Sequence, residues 1–227
     1  MLLGSRTALA GAILVLALAN LLNTWVAPSA YVITAVAASA VLLALLRSAG
    51  GTWADAGLGR GSLRRGATWG LFLAAGTTVA VVAAALAPPT RELFLDPRVE
   101  GTGAGAIAFA ALVRVPLGTV LLEEIGFRGV VYGLAARMWG VAWATVISSV
   151  LFGLWHVQPA IGVVTSHPSV ERFNGASAVA AAVLVSSLIG AALCELRRRS
   201  GSLLAPAALH WTANALGYVA AYLAFQT

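Results

Sequence analysis

Charged residues are sparse along this chain and fall in clusters separated by long uncharged runs. Residues 7–46 carry no charge at all. That is twice the roughly 20 residues one helix needs to cross a bilayer, so the pattern predicts two spans with a turn between them. Asn20, Asn23, Trp25 and Pro28 place the turn, being polar or helix-breaking residues beside an interfacial aromatic. The first run is too long for a signal peptide, and a second span follows it without a cleavage site. Residues 47–65 read as a polar connector, with Arg47, Arg60, Arg64 and Arg65 against Asp55 alone. Its Trp53 and glycines suit a short segment lying at the interface. Residues 66–89 predict a third span, ended by Pro88 and Pro89.

A loop follows from Arg91 to Gly105. Its Gly-Thr-Gly-Ala-Gly stretch (101–105) is no nucleotide motif, since no strand precedes it and the third glycine falls in the wrong place. Residues 106–138 are apolar yet contain Arg114, Pro116, Glu123, Glu124 and Arg128. As one helix they would reach about 50 Å, beyond the hydrocarbon core, so this helix is expected to tilt or to break near Pro116. Val141 to Val157 reads as a span carrying His156, followed by a loop from Gln158 to Asn174. Gly175 to Cys194 reads as another span, ended by Glu195 and the Arg197–Arg199 run. Ser202 to Phe225 is the last, carrying His210 and Asn214.

Composition agrees with this pattern. The chain has 227 residues, of which 60% are hydrophobic and 10% charged, against about a quarter charged in soluble domains. Mean hydropathy is +0.90. The 48 alanines and the absence of lysine point to a GC-rich genome and a bacterial plasma membrane. The net charge of +6 does not indicate nucleic-acid binding, because the arginines sit between apolar runs and form no single basic face. They follow the positive-inside pattern instead. With the N-terminus inside, Arg6, the Arg47–Arg65 group, Arg137 and Arg197–Arg199 all lie inside, and Arg91, Arg98 and Arg172 lie outside among acidic residues. The expected fold is all-α: a polytopic bundle of seven spans, or eight if Pro116 marks an extra crossing, with a polar catalytic cavity in the membrane. The whole chain, 1–227, reads as one integral membrane domain. Residues 1–105 carry no specific motif and residues 106–227 carry the candidate chemistry.

Ionisable groups in membrane segments cost about 2.5–3.5 kcal/mol each on insertion scales and need partners or a wet cavity. Glu124 and Arg128 are four apart, so one helical face brings them together as a pair. Glu123 lies about 100° around the helix and is left over as a candidate general base; the alternative is an ion-pair network that only fixes helix packing. Phe152 and His156 share a face, so the ring can limit the imidazole's rotamers; the alternative is an interfacial histidine satisfied by a backbone carbonyl. His210 and Asn214 also share a face and offer two donors to one point, as an oxyanion needs. Interhelical hydrogen bonding is the competing role for them.

Glu-Glu-x-x-x-Arg (123–128), Phe-x-x-x-His (152–156) and His-x-x-x-Asn (210–214), in this order on successive helices, resemble the CPBP family of CAAX-type intramembrane endopeptidases and Abi bacteriocin-processing or immunity proteins. The resemblance covers about residues 115–217. It implies a glutamate-dependent peptidase, with Glu123 and His156 activating water and His210 and Asn214 holding the oxyanion. Glu124 and Arg128 would orient Glu123, with Phe152 in support. It implies a membrane-associated peptide or protein as substrate and the bilayer as setting. The alternative is a non-catalytic scaffold or immunity protein using the same cluster to hold a partner. No cofactor is expected. Zinc on Glu123, His156 and His210 is the lesser alternative, since the chain lacks a His-Glu-x-x-His motif. His167 reads as a surface residue and Cys194 as a small apolar filler near a helix end. Arg114 has no role in the motifs; snorkelling or a bond to Glu124 would satisfy it.

Overall fold

The computed structural model describes residues 3–91, 94–96, 99–166 and 175–226. The chain is 86% helical, with no strand among the described residues. Helix α1 spans Ser5–Leu21 and runs on as a wider π-helical turn, Leu22–Val26. The chain reverses at Ala27–Ala30 into α2, Tyr31–Ser48. Asn20 and Asn23, expected in the turn, are therefore helical; only Pro28 stands in the reversal. Asn20 stays in the helix because its side chain has a tertiary partner, donating from Nδ2 to the carbonyl of Trp155 at 3.0 Å. Helix α3, Leu63–Leu86, follows the connector.

Residues 104–139 form one long helix, α4, and residues 141–155 form α5. They meet at Gly140, whose φ of 81° and ψ of 175° no other residue type adopts easily. The break expected near Pro116 is absent. Proline lacks an N–H, and its ring strikes the carbonyl four residues back in an α-helix. Here Ala110–Val120 wind as a π-helix, with i to i+5 bonds, and the helix passes Pro116 without interruption. A second π-helical segment, Glu124–Val131, is buried at all eight positions. Helix α6, Val157–Ser166, occupies part of the expected loop. His167, Glu171 and Arg172 lie outside the described residues. Helices α7, Gly175–Ser200, and α8, Leu204–Ala224, complete the bundle.

Among the described residues five helical stretches are long and apolar enough to cross a membrane: Ser5–Val26, Pro28–Ser48, Arg60–Leu86, Ala104–Gly162 and Gly175–Ser200. The chain is a multi-pass membrane protein. Helix α8 is not among the five, because His210, Asn214 and its tyrosines lower its hydropathy. It packs on α3 and on the first π-helical segment of α4. The α3–α8 approach is close: a Cβ on Gly70 would lie 2.9 Å from Ala208 Cβ. Gly76, further along the same helix, faces open space. Helices α5 and α7 pack as tightly, and a Cβ on Gly153 would lie 2.6 Å from the Val183 carbonyl oxygen.

Arginines from three segments meet at one end of the bundle. Arg137 donates to the Gly50 carbonyl at 2.8 Å and to Asp55 Oδ2 at 3.1 Å. Arg197 donates to the Asp55 carbonyl, and Arg47 to that of Gly51 at 2.6 Å. Burial alone would raise the Asp55 pKa. The backbone N–H and hydroxyl of Thr52, together with Arg137, outweigh it and hold the carboxyl below its ordinary value. Trp53 lies half exposed under the Arg47 guanidinium, 5.5 Å from ring centre to charge. The connector is thus docked by named bonds.

Candidate functional site

The candidate residues come from α4, α5 and α8, with His156 at the α5–α6 junction. Glu123 and Glu124 are 3% and 2% exposed and Arg128 is fully buried. The expected Glu124–Arg128 pair forms, with Arg128 Nη1 at 3.3 Å from Glu124 Oε1. The guanidinium also lies 3.8 Å from the centre of the Phe152 ring, a cation–π contact made in a dry interior. None of its three nitrogens finds a hydrogen-bond partner among the described residues. Its charge therefore rests on the carboxylate and the ring.

Glu123 is held by a residue that lies between the sequence motifs' named positions and was given no role there. The indole N–H of Trp155 donates to Glu123 Oε1 at 3.0 Å. Glu123 Oε2 has no hydrogen-bond partner among the described residues. Trp155 in turn packs edge-on against Phe127, at 5.6 Å between ring centres. The indole has a single N–H to give, so this bond takes up one carboxylate oxygen and leaves the second enclosed and unpaired among the described residues.

His156 sits where the helix ends, and its Nδ1–H donates to the Phe152 carbonyl at 2.8 Å. A carbonyl only accepts, so the neutral imidazole is fixed with its lone pair on Nε2. The Phe152 ring meets the imidazole edge-on at 4.6 Å and also approaches His210 at 6.3 Å. The carbonyl-satisfied histidine and the oriented histidine are thus the same group. His210 Nδ1 hydrogen-bonds Glu124 Oε1 at 2.9 Å, with the carboxylate accepting, and its Nε2 lies 3.8 Å from Glu123 Oε2. One imidazole is flanked by both carboxylates.

Glu123, Trp155, His156 and Asn214 line a cavity of about 560 Å³. His210, Glu124 and Arg128 are not on its wall. Asn20, Asn23 and Thr24 of the first helical stretch are, together with Tyr31, Thr119 and Arg114. The N-terminal spans carry no motif but supply polar wall residues. Sequence gave one signal for these: two asparagines and a threonine in an otherwise apolar run. Arg114 neither snorkels free nor pairs with Glu124. Its guanidinium stacks at 5.2 Å over the Tyr31 ring, whose hydroxyl is 3.0 Å from Thr119 Oγ1.

Cys194 is buried, and its thiol donates to Ser148 Oγ at 3.4 Å. Ser148 donates onward to the Phe127 carbonyl at 2.8 Å, within the second π-helical segment. The two short polar side chains thereby satisfy backbone beneath the acidic pair. Among the described residues no three His, Cys, Asp or Glu side chains converge as a metal-ligand group. Residues 105–216 match the family model described as type II CAAX prenyl endopeptidase, Rce1-like. No curated protein and no solved structure matches the chain.

Proposed function

Residues 105–216 belong to the CPBP family of CAAX-type proteases, and from that premise we propose that this chain hydrolyses a peptide bond of a membrane-associated substrate with water activated by Glu123 and His156. One observation carries the reading. A buried carboxylate with one oxygen fixed and the other enclosed but without a hydrogen-bond partner among the described residues belongs to a residue lining the same cavity as a histidine whose free nitrogen is an acceptor. Two acceptors on one wall orient a water with its own lone pair free to attack.

In the proposed reaction the water oxygen attacks the scissile carbonyl carbon and its proton passes to Glu123. His156 Nε2 holds the second water proton by hydrogen bond. The carbonyl oxygen becomes an oxyanion, and Asn214 donates to it from its amide. His210 gives Nδ1–H to Glu124, so in its protonated form it presents Nε2–H on the Glu123 side and shares the oxyanion's charge. The proton on Glu123 then passes to the leaving nitrogen as the C–N bond breaks, giving an amine and a carboxylic acid, whose remaining water-derived proton passes to His156 Nε2 to leave a carboxylate. Glu124, Arg128 and Phe152 position these groups. The reaction as written needs no cofactor.

The membrane assignment follows the same reading. The arginine-rich end faces the cytoplasm of a bacterial cell, as the positive-inside rule directs. The stretch 104–162 crosses twice about Gly140, and α8 crosses last, giving seven spans in one domain. The test compares new peptide N-termini, read by mass spectrometry, in cells complemented with the native chain or with Glu123→Gln at equal membrane levels. Termini that appear only with the native chain are expected. The same termini in both would overturn the proposal.

A further inference from the structure

The arginine-rich end of the bundle holds a separate pocket, away from the proposed chemistry. Its volume is about 330 Å³, and Arg137, Arg197 and Arg198 line it together with one acid, Asp55. Two of the three guanidinium groups are neutralised. Arg137 pairs with Asp55 at 3.1 Å, and Arg198 holds Glu195 by two bonds of 2.6 and 2.7 Å. Arg197 differs. It is 9% exposed, and no carboxylate pairs with it among the described residues. Its Nη2 donates to the backbone carbonyl of Asp55, and its guanidinium stands 4.3 Å from the centre of the Tyr132 ring. Its Nε has no hydrogen-bond partner among the described residues. The Asp55 carboxylate turns instead to Thr52 and Arg137, which share its Oδ2. A buried cation without a counter-charge is costly, so the pocket carries one surplus positive charge that a monoanion would match. Val141, where α5 begins, is on the same wall, and the first turn of a helix adds N–H groups and the positive end of its dipole.

We propose that this pocket binds the phosphodiester of an anionic phospholipid headgroup. Position favours a lipid over a free ion. Trp139 and Trp143 stand on either side of Val141 in sequence and are 42% and 61% exposed. Trp53 is half exposed on the connector at the same end. Exposed tryptophans collect at the headgroup level of a bilayer, so the pocket opens among headgroups. Charge favours one kind of headgroup. A phosphodiester carries a single negative charge, and its oxygens suit the guanidinium fork. A headgroup with its own cation, such as choline, would set that cation against Arg137 and Arg198. A glycerol headgroup brings none. A lipid seated there joins the connector, α4, α5 and α7, which all contribute to the wall. Binding needs no peptidase activity.

The full-length chain in detergent micelles is titrated with phosphatidylglycerol, phosphatidylcholine and inorganic phosphate. Bound molecules are counted by native mass spectrometry, and the thermal midpoint is followed in parallel. One phosphatidylglycerol per chain should bind at least 10-fold tighter than phosphatidylcholine, as a charge-assisted hydrogen bond implies. The midpoint should rise with it. Inorganic phosphate should bind more weakly than the lipid. Arg197→Gln should erase the preference between the lipids. Because Arg197 is buried and that variant can fail to fold, Ala54→Glu provides the second arm. Ala54 is exposed on the pocket wall, so the change adds a carboxylate there and removes no side-chain bond. It should weaken phosphatidylglycerol at least 10-fold and leave the lipid-free midpoint unchanged. Arg65→Gln removes a charge from an exposed position off the wall and should keep the affinity within twofold. Equal binding of the two lipids, or native affinity in Ala54→Glu, would overturn the proposal. So would an equal loss in Arg65→Gln, which would mean a general attraction to a basic surface. Inorganic phosphate binding as tightly as the lipid would overturn the headgroup assignment.

Discussion

Two arginine–carboxylate pairs of similar length stand in opposite surroundings. Arg128 and Glu124 are 3.3 Å apart, with side chains 0% and 2% exposed. Arg137 and Asp55 are 3.1 Å apart, with side chains 34% and 29% exposed. Length does not separate them; solvent does. At the arginine-rich end water screens the pair and can replace either partner. In the interior, among the described residues, nothing else neutralises Arg128, and its only other support is the Phe152 ring. The first pair is a condition for the polar cluster to exist, whereas the second tethers a loop.

The largest effect should come from the group this buried pair serves. Glu123→Gln keeps an acceptor for the Trp155 N–H but cannot take a proton. Loss of a general base lowers rates by about 10²–10⁴-fold. Cleavage of a peptide identified from the native chain should fall by that factor, with the thermal midpoint in micelles little changed. A Glu123→Gln protein that cleaves within threefold of native would show that the cluster is structural at both carboxylates.

The comparison of the pairs is tested directly by removing each cation. Arg128→Met leaves Glu124 buried beside His210 without its fixed charge, at a cost of about 3–5 kcal/mol. Glu124→Gln added to Arg128→Met should recover part of that loss, because no unpaired charge then remains. Denaturant titration in micelles reads both. A loss under 1 kcal/mol for Arg128→Met would mean that the interior is wetter than its exposures indicate.

How much of this was legible in sequence depended on whether a residue acts through its own helix. Glu124–Arg128 was readable because an i, i+4 pair needs only helical spacing, and it survives even in the π-helical winding. The break between α4 and α5 was readable in position, since the expected segments end at residue 138 and resume at Val141, on either side of Gly140. The effect of Pro116 was not, because the chain absorbed it by rewinding and no local signal records that. The Trp155 bond to Glu123 and the Asn20 bond to Trp155 join residues 32 and 135 positions apart. Only the packing of α1 and α4 on α5 creates them. The polar wall from Asn20, Asn23 and Thr24 was hidden for the same reason. Asn20 and Asn23 looked like turn residues because the cavity they face, and the Trp155 carbonyl that Asn20 bonds, are distant in sequence.

Packing near the cluster should matter less than its charges. Gly153 lies between Phe152 and Trp155 in sequence and faces α7, where a Cβ would meet Ser187 and the Val183 carbonyl. Gly153→Val should push α5 away from α7 and cost about 1–3 kcal/mol, as overpacking does. It should also lower activity, because Trp155 and His156 ride on that turn. Gly76→Val, on a face open by the same measure, should leave the midpoint and the activity unaltered.

The smallest effect belongs to the exposed pair, and its sign follows from linkage. Asp55 has a folded pKa below its unfolded value of about 3.9. Its contribution is therefore full above that value and is lost as pH falls through the lower folded pKa. Asp55→Asn should lower stability at pH 7 by about 0.2–1 kcal/mol, the range for solvent-exposed pairs. The gap between native and variant should close as pH falls below about 4. Salt should narrow it at pH 7, because a half-exposed pair is screened within a Debye length of about 10 Å at 0.1 M. The same titration on Arg128→Met should show no comparable salt dependence, since its pair lies where ions do not enter. A buried-pair deficit that shrinks with salt as the Asp55 deficit does would place both pairs in the same solvent and remove the distinction between the two regions.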